Sequence, residues 1–265
     1  MGRRGRQLSA ASKELACKTL ALLLLVSAPA FAQRPVSKPR KPPKDRGFIA
    51  FNAGVQMLGE TFDDNFTYPV NAEDATVQAR YKLETPWLVD GSVGVHVWKK
   101  KVGVVVGVTR TSGSTPASIV AQIPHPFFDN QEREVSGEAT FLERAETAAH
   151  VDLYYLATSG KLRLLVMGGP TWFRIEQQLA TSVSVQETYP YDTATFRDVT
   201  TERVKASAPG ANIAADVSWM FSRAAGVGAL ARYAKGSVRL NAGDGHDVST
   251  DAGGLQIGVG LRVKF

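Results

Sequence analysis

From Gly47 to Phe265 apolar and polar residues alternate with a period of two, and no segment sustains the 3.6-residue period of a helix. The last stretch, LQIGVGLRVKF, sets Leu255, Ile257, Val259, Leu261, Val263 and Phe265 against Gln256, Gly258, Gly260, Arg262 and Lys264. Successive side chains of a strand point to opposite faces, so each such segment has one apolar face to hide. Seven earlier segments read the same way: GFIAFNAGVQMLG, DGSVGVHVW, VGVVVGVTRTSG, AETAAHVDLYYLA, KLRLLVMGGPTWFRIEQQ, ANIAADVSWMF and AGVGALARYAKGSVRL. In the fifth, Gly168-Gly169-Pro170 interrupts the alternation and predicts a bulge.

The connections alternate in length. Lys99–Lys101, Thr158–Gly160 and Ser222–Ala224 are tight turns, whereas about 60–86, 113–144, 178–206 and 241–252 are long loops. Short turns at one end, long loops at the other and an even strand number predict an all-β fold: an eight-stranded antiparallel up-and-down transmembrane β-barrel. DATVQARYKLE at 74–84 also alternates and is assigned to an extension of the second strand above the membrane, with Pro86 as a bend. A soluble sandwich or lipocalin-like barrel would turn its apolar face inward and would not segregate short turns from long loops.

A strand that closes a ring against the first strand has no free edge, which fits an ending on a bare aromatic residue. That ending also resembles the C-terminal assembly signal of bacterial outer-membrane barrels, with Gly260, Val263 and Phe265 in its places and Gly258 where a polar residue is usual. Strand number, loop asymmetry and terminus together resemble the OmpA/OmpX/OmpW-like small eight-stranded outer-membrane barrels over residues 47–265. The resemblance implies outer-membrane lipid and the barrel assembly machinery as partners, and leaves the activity open.

The N-terminus agrees. Arg3, Arg4, Arg6, Lys13 and Lys18 precede TLALLLLVSAPAFA, which ends in a small-x-small site, so residues 1–32 read as a signal peptide cleaved after Ala32. Residues 33–46, QRPVSKPRKPPKDR, read as an extended Pro/Lys/Arg-rich periplasmic linker before a barrel at 47–265. Cys17, the only cysteine, would leave with the signal, removing disulfide, thiolate and Cys-metal chemistry. The overall charge of +6 also misleads. With +4 on residues 1–32 and +5 on residues 33–46, residues 47–265 carry −3, so no nucleic-acid partner is expected.

Parity puts Asn52, Gln56, Asp90, His96, His150, Asp152, Asp216, Arg232 and Arg262 inside the barrel. His150, Asp152, Asp216, Arg232 and Arg262 are expected to form an interior polar network, with Asp216 and Arg232 paired within one hairpin. Mixed charge in a narrow barrel points to a plug, because buried charges need partners. Outside, Trp98, Trp219, Phe221, Phe48 and Phe265 should girdle the turn end, and Trp87 and Trp172 the loop end.

No G-x-S-x-G motif or His-x-Ser pair accompanies the four histidines His96, His125, His150 and His246. His125 and His246 lie beside Asp129 and Asp247 in long loops, which supplies proximity but no triad. Asp244, Asp247 and Asp251 lack Ca²⁺-loop spacing. The sequence therefore leads to expecting no catalytic residue, no enzyme, no metal and no cofactor. The role expected is structural or surface-binding in a monomer, through the aromatic loops IPHPFFDN and ETYPYDTATF and an extracellular ligand of unknown kind. The alternative is a narrow channel for small or apolar solutes, as an OmpW-like barrel would allow; a lipid-modifying enzyme is more remote.

Overall fold

The structure, a computed structural model, describes residues 46–57, 61–242 and 247–265. The expected signal peptide and nearly all of the linker lie outside the described residues. Twelve strands form: β1 (Gly47–Met57), β2 (Thr61–Val70), β3 (Glu73–Lys82), β4 (Trp87–Trp98), β5 (Val102–Ser114), β6 (Ala117–Pro124), β7 (Glu132–Ala139), β8 (Glu143–Ser159), β9 (Leu162–Glu187), β10 (Ala194–Met220), β11 (Ala225–Asn241) and β12 (Asp247–Lys264). Eight of them close an antiparallel ring in the order β1-β12-β11-β10-β9-β8-β5-β4. The other four form a separate sheet, β2-β3-β6-β7.

That second sheet corrects the sequence reading of two long loops. Residues 61–82 and 117–139 are hairpins, each with its own alternation, and β3 pairs with β2 and β6. The 74–84 segment is thus not an extension of a barrel strand. The third loop is largely strand as well. β9 and β10 run 26 and 27 residues, where about 9–11 suffice to cross a membrane. Ala194 pairs with Glu187 at their far end.

These long strands exchange the polarity of their two faces partway along. On β9 the outward residues Leu164, Val166 and Trp172 give way to Arg174 and Glu176, while inward Arg163 and Thr171 give way to Phe173 and Ile175. On β11 outward Val227 and Tyr233 give way to Lys235 and Arg239, and inward Arg232 to Ala234, Val238 and Leu240. β10 and β12 change in the same sense, whereas β8 keeps the buried charges Arg144 and Glu146 on its inward face in the upper storey. The lower storey is apolar outside, as hydrocarbon demands, and its interior holds a polar layer; the upper storey is polar outside and largely apolar inside, as water demands.

The inward faces of the upper storey pack against the second sheet. Val77, Tyr81, Ile119 and Val135 of that sheet share one core with Phe173, Ile175, Leu179, Val238 and Val248. The Ala180 N–H donates to Tyr81 Oη at 2.8 Å, and Tyr68 Oη donates to the Val183 carbonyl at 2.9 Å. β7 lies against β10 where Gly137 faces the ring of Phe196; a Cβ there would sit 2.2 Å from it. Phe173 fits because Gly210 and Gly236 leave room for its ring.

The short ends are tight. Lys99 and Lys100 have φ of 46° and 58°, the backbone of a type I′ hairpin, and Lys99 Nζ lies 5.4 Å from the Trp98 ring centroid. At Gly168-Gly169-Pro170 no bulge forms. β8 and β9 keep one register on both sides of it, from His150↔Thr171 to Leu153↔Gly168. A Cβ on Gly169 would stand 2.1 Å from the Val151 carbonyl, so glycine admits a close strand approach. The irregularities of β9 and β10 sit higher, at Phe196/Asp198 and Thr200/Thr201. β12 pairs with β1 from Leu255 to Lys264, and the Phe265 carbonyl accepts from Arg46 and Gly47.

Phe173→Ala is expected to destabilise the upper storey by about 3–5 kcal/mol, read as faster trypsin cleavage after Arg197 and Arg203 of the refolded protein. Burial raises the Tyr81 phenol pKa. Its contribution to stability is therefore complete below the unfolded value of about 10 and is lost as pH rises above it. Tyr81→Phe should flatten that alkaline decline in urea unfolding.

Candidate functional site

At mid-height the barrel interior is crossed by one hydrogen-bonded network. Asp90 is its anion. Its Oδ1 accepts from Asn52 Nδ2 at 2.7 Å, and its Oδ2 accepts from Thr109 Oγ1 and Arg232 Nη1, both at 2.9 Å. Arg232 Nη1 also donates to Thr109 Oγ1 at 2.9 Å. His150 bridges two hydroxyls, with Nε2 3.0 Å from Thr109 Oγ1 and Nδ1 2.9 Å from Thr171 Oγ1. Asn212 Nδ2 donates to Thr171 Oγ1 at 3.0 Å and to Asp152 Oδ1 at 2.7 Å. Asn52, Asp90, Thr109, His150, Thr171, Asn212 and Arg232 come from β1, β4, β5, β8, β9, β10 and β11 respectively. Above them Gln256 of β12 donates to Gln56 of β1 at 2.8 Å.

The barrel brings all five sequence-predicted residues inside, but it pairs them differently. Arg232 is joined to Asp90 across the lumen, not to Asp216 in its own hairpin. The register explains this. Arg232 lies opposite Ala214 and Asp216 opposite Leu230, which leaves Asp216 nearer the turn end. There it is bound by Arg262. Parity already placed Asp90 and Asn52 inward, and the same rule applied to Thr109, Thr171 and Asn212 would have found the rest. Threonines on strands read as strand formers, which hid their part.

Below this layer the interior turns apolar. Phe48, Tyr154, Leu156, Leu165, Met167 and Leu230 pack together. Phe48 is 4% exposed, so it does not belong to the outer girdle where the sequence reading put it. Its ring meets Tyr154 edge-on at 5.7 Å, and the Arg163 guanidinium lies 5.6 Å from its centroid. Trp98, Trp219, Phe221 and Phe265 do face outward at this end, as Trp87 and Trp172 do at the other. Above the network Arg144 donates to Thr250 Oγ1 and the Asp251 carbonyl, and the Gly253 N–H donates to Glu146 at 3.0 Å.

A second arrangement stands at the far tip, where IPHPFFDN and ETYPYDTATF meet. Arg133, almost fully buried, ties them together: it donates to the carbonyls of Pro124 and Tyr191 and pairs with Glu187 at 2.6 Å. Around it Phe127 and Tyr191 are 5.4 Å apart, Tyr189 and Tyr191 6.1 Å, and His125 and Phe128 4.8 Å. Phe127 and Tyr189 remain 71% and 83% exposed. His125 is buried, accepts from the Phe127 N–H, and has Asp192 rather than Asp129 as its carboxylate neighbour, at 3.9 Å. His246 lies outside the described residues.

No protein-family model and no curated protein matches this sequence. Solved structures resemble it in fold. OprG of Pseudomonas aeruginosa matches with 8% identity and a TM-score of 0.43, over 83% of this chain and 97% of that one. Neisserial surface protein A matches with 12% identity and 0.42, over 82% and 97%. The outer membrane protease OmpT of Escherichia coli matches with 9% identity and 0.45, over 86% and 99%. The chain folds as a closed eight-stranded antiparallel β-barrel with an apolar outer belt. The expectation that the chain is not an enzyme is corrected: the solved structures that match it include an outer membrane protease.

Removing one partner of a buried ion pair strands the other charge. Arg232→Ala is expected to cost about 3–5 kcal/mol in unfolding of the refolded barrel, and Asp90→Leu combined with Arg232→Leu should recover most of it. A double-mutant cycle should give strong coupling between Asp90 and Arg232, and about none between Asp216 and Arg232.

Proposed function

We propose that this outer-membrane protein presents a folded platform for surface interaction, with the barrel as its anchor and the aromatic tip as its contact. The observation that carries this reading is the convergence of two aromatic loops, distant in sequence, on the buried Arg133. Exposed aromatic rings held in place lose little entropy on binding and dominate contact energies. The upper storey supports them with an apolar core of its own, so they stand on packed structure. The ligand lies outside the cell, since the long-connection end of such barrels faces outward.

The interior supports anchoring over conduction. A network drawn from seven strands lies above a packed apolar layer, and an eight-stranded ring is just wide enough for its side chains to fill it. In the same reading Gly260, Val263 and Phe265 carry recognition by the outer-membrane assembly machinery, and residues 1–32 carry export. At Gly260 a Cβ would sit 1.7 Å from the Phe51 carbonyl, so packing already demands a glycine there.

Two measurements test the proposal. The refolded barrel in a planar bilayer should stay electrically silent; steady openings would return the interior to the role of a water path. On glycan and peptide arrays, capture of a ligand should fall about tenfold or more with Phe127→Ala plus Tyr189→Ala. Binding that survives both changes would move the contact off the tip.

A further inference from the structure

We propose that the outer face of β1, β4 and β5 holds one outer-leaflet lipid with a phosphate-bearing headgroup, its acyl chain over Gly91 and its phosphate on Arg110. The site follows from the register. Phe51, Gly91 and Val108 stand side by side on three neighbouring strands, all facing outward. The middle position has no side chain, so the rung dips between an aromatic and a branched wall. Trp87 and Val89 extend the dip toward the loop end, giving a groove of about 340 Å³.

Just above the dip the outward row of β5 changes character. Val104, Val106 and Val108 are followed by Arg110 and then Ser112. Arg110 stands beside Val89, one outward position above Val108 and at the rim of the groove. Among the outward cations of the upper storey, Lys205 lies 3.3 Å from Glu176 and Arg203 lies 2.7 Å from Glu143, whereas Lys235 and Arg239, like Arg110, have no carboxylate neighbour among the described residues. The Arg110 guanidinium has neither a carboxylate nor a hydrogen-bond partner among the described residues. An occupant must therefore be apolar where it lies against Val89 and Val108 and anionic where it reaches Arg110. An acyl lipid with a phosphate head satisfies both, because a guanidinium meets phosphate oxygens through paired N–H donors. Trp87, one outward rung above and beside Ser112, suits the interface, where indole rings collect. Because the groove opens at the long-connection end of the belt, the lipid is one of the outer leaflet. This inference is independent of the aromatic tip.

The test uses the full-length mature chain with Trp98, Trp172 and Trp219 changed to Phe, so that Trp87 alone reports. It is refolded into phosphatidylcholine vesicles containing a small, equal fraction of either brominated phosphatidic acid or brominated phosphatidylcholine. Bromine on the acyl chains quenches a neighbouring indole. Quenching of Trp87 should show about fivefold enrichment of the phosphatidic acid. Arg110→Gln should abolish the preference while leaving quenching by phosphatidylcholine. Gly91→Leu should lower quenching by both lipids by filling the dip. That variant should fold, since a Cβ at Gly91 meets only the Phe51 ring, at 3.7 Å. Equal quenching by the two lipids, or a preference that survives Arg110→Gln, would overturn the proposal.

Discussion

In hydrocarbon no backbone N–H or C=O can turn to water, so a spanning sheet must close on itself. Here the pairing of β12 with β1 meets that demand, from Leu255 to Lys264. Everything inside follows from closure. Eight strands set a lumen of fixed width, alternation sends every second side chain into it, and those side chains must satisfy one another. The polar layer answers with a ring of short donors and acceptors around a single Asp90–Arg232 pair. Its threonines and asparagines supply hydrogen bonds without adding charge.

The same closure explains why the upper storey looks like a soluble protein. Beyond the apolar belt the ring continues into water, and its lumen becomes the better place for apolar side chains. The strands need no change of backbone for this; only the residue types on each face trade places. The two inserted hairpins then supply a second layer over that face, and Phe173, Tyr81 and Ile119 become parts of one core.

Much of this was legible in the chain. Period two, turn asymmetry and the C-terminal alternation gave the ring, and parity put Asn52, Asp90, His150, Asp152, Asp216, Arg232 and Arg262 inside it. Three things resisted. Partner choice did, because Arg232 pairs across the lumen with a residue 142 positions away, and alternation gives height and face but not which strands meet over empty space. The second sheet did too. Residues 61–82 and 117–139 alternate like any strand, but reading them as loops followed from counting only what crosses the membrane. Phe48 is the third case: aromatic type near a strand end suggested the girdle, while its even position already placed it with Ala50 and Asn52 inside. The aromatic loops were visible as composition; their meeting on Arg133 required the fold.

β9 and β10 pass without interruption from the membrane ring to the tip, paired to each other along nearly their whole length. A pull on Tyr189 or Tyr191 would therefore travel down the strand axes into the ladders that β9 forms with β8 and β10 forms with β11. Those hydrogen bonds lie across the direction of pull, and a load of this kind is shared among many of them at once instead of opening them in turn. The hairpin is thus built as a tension member, gripped at its base by the closed ring on both sides.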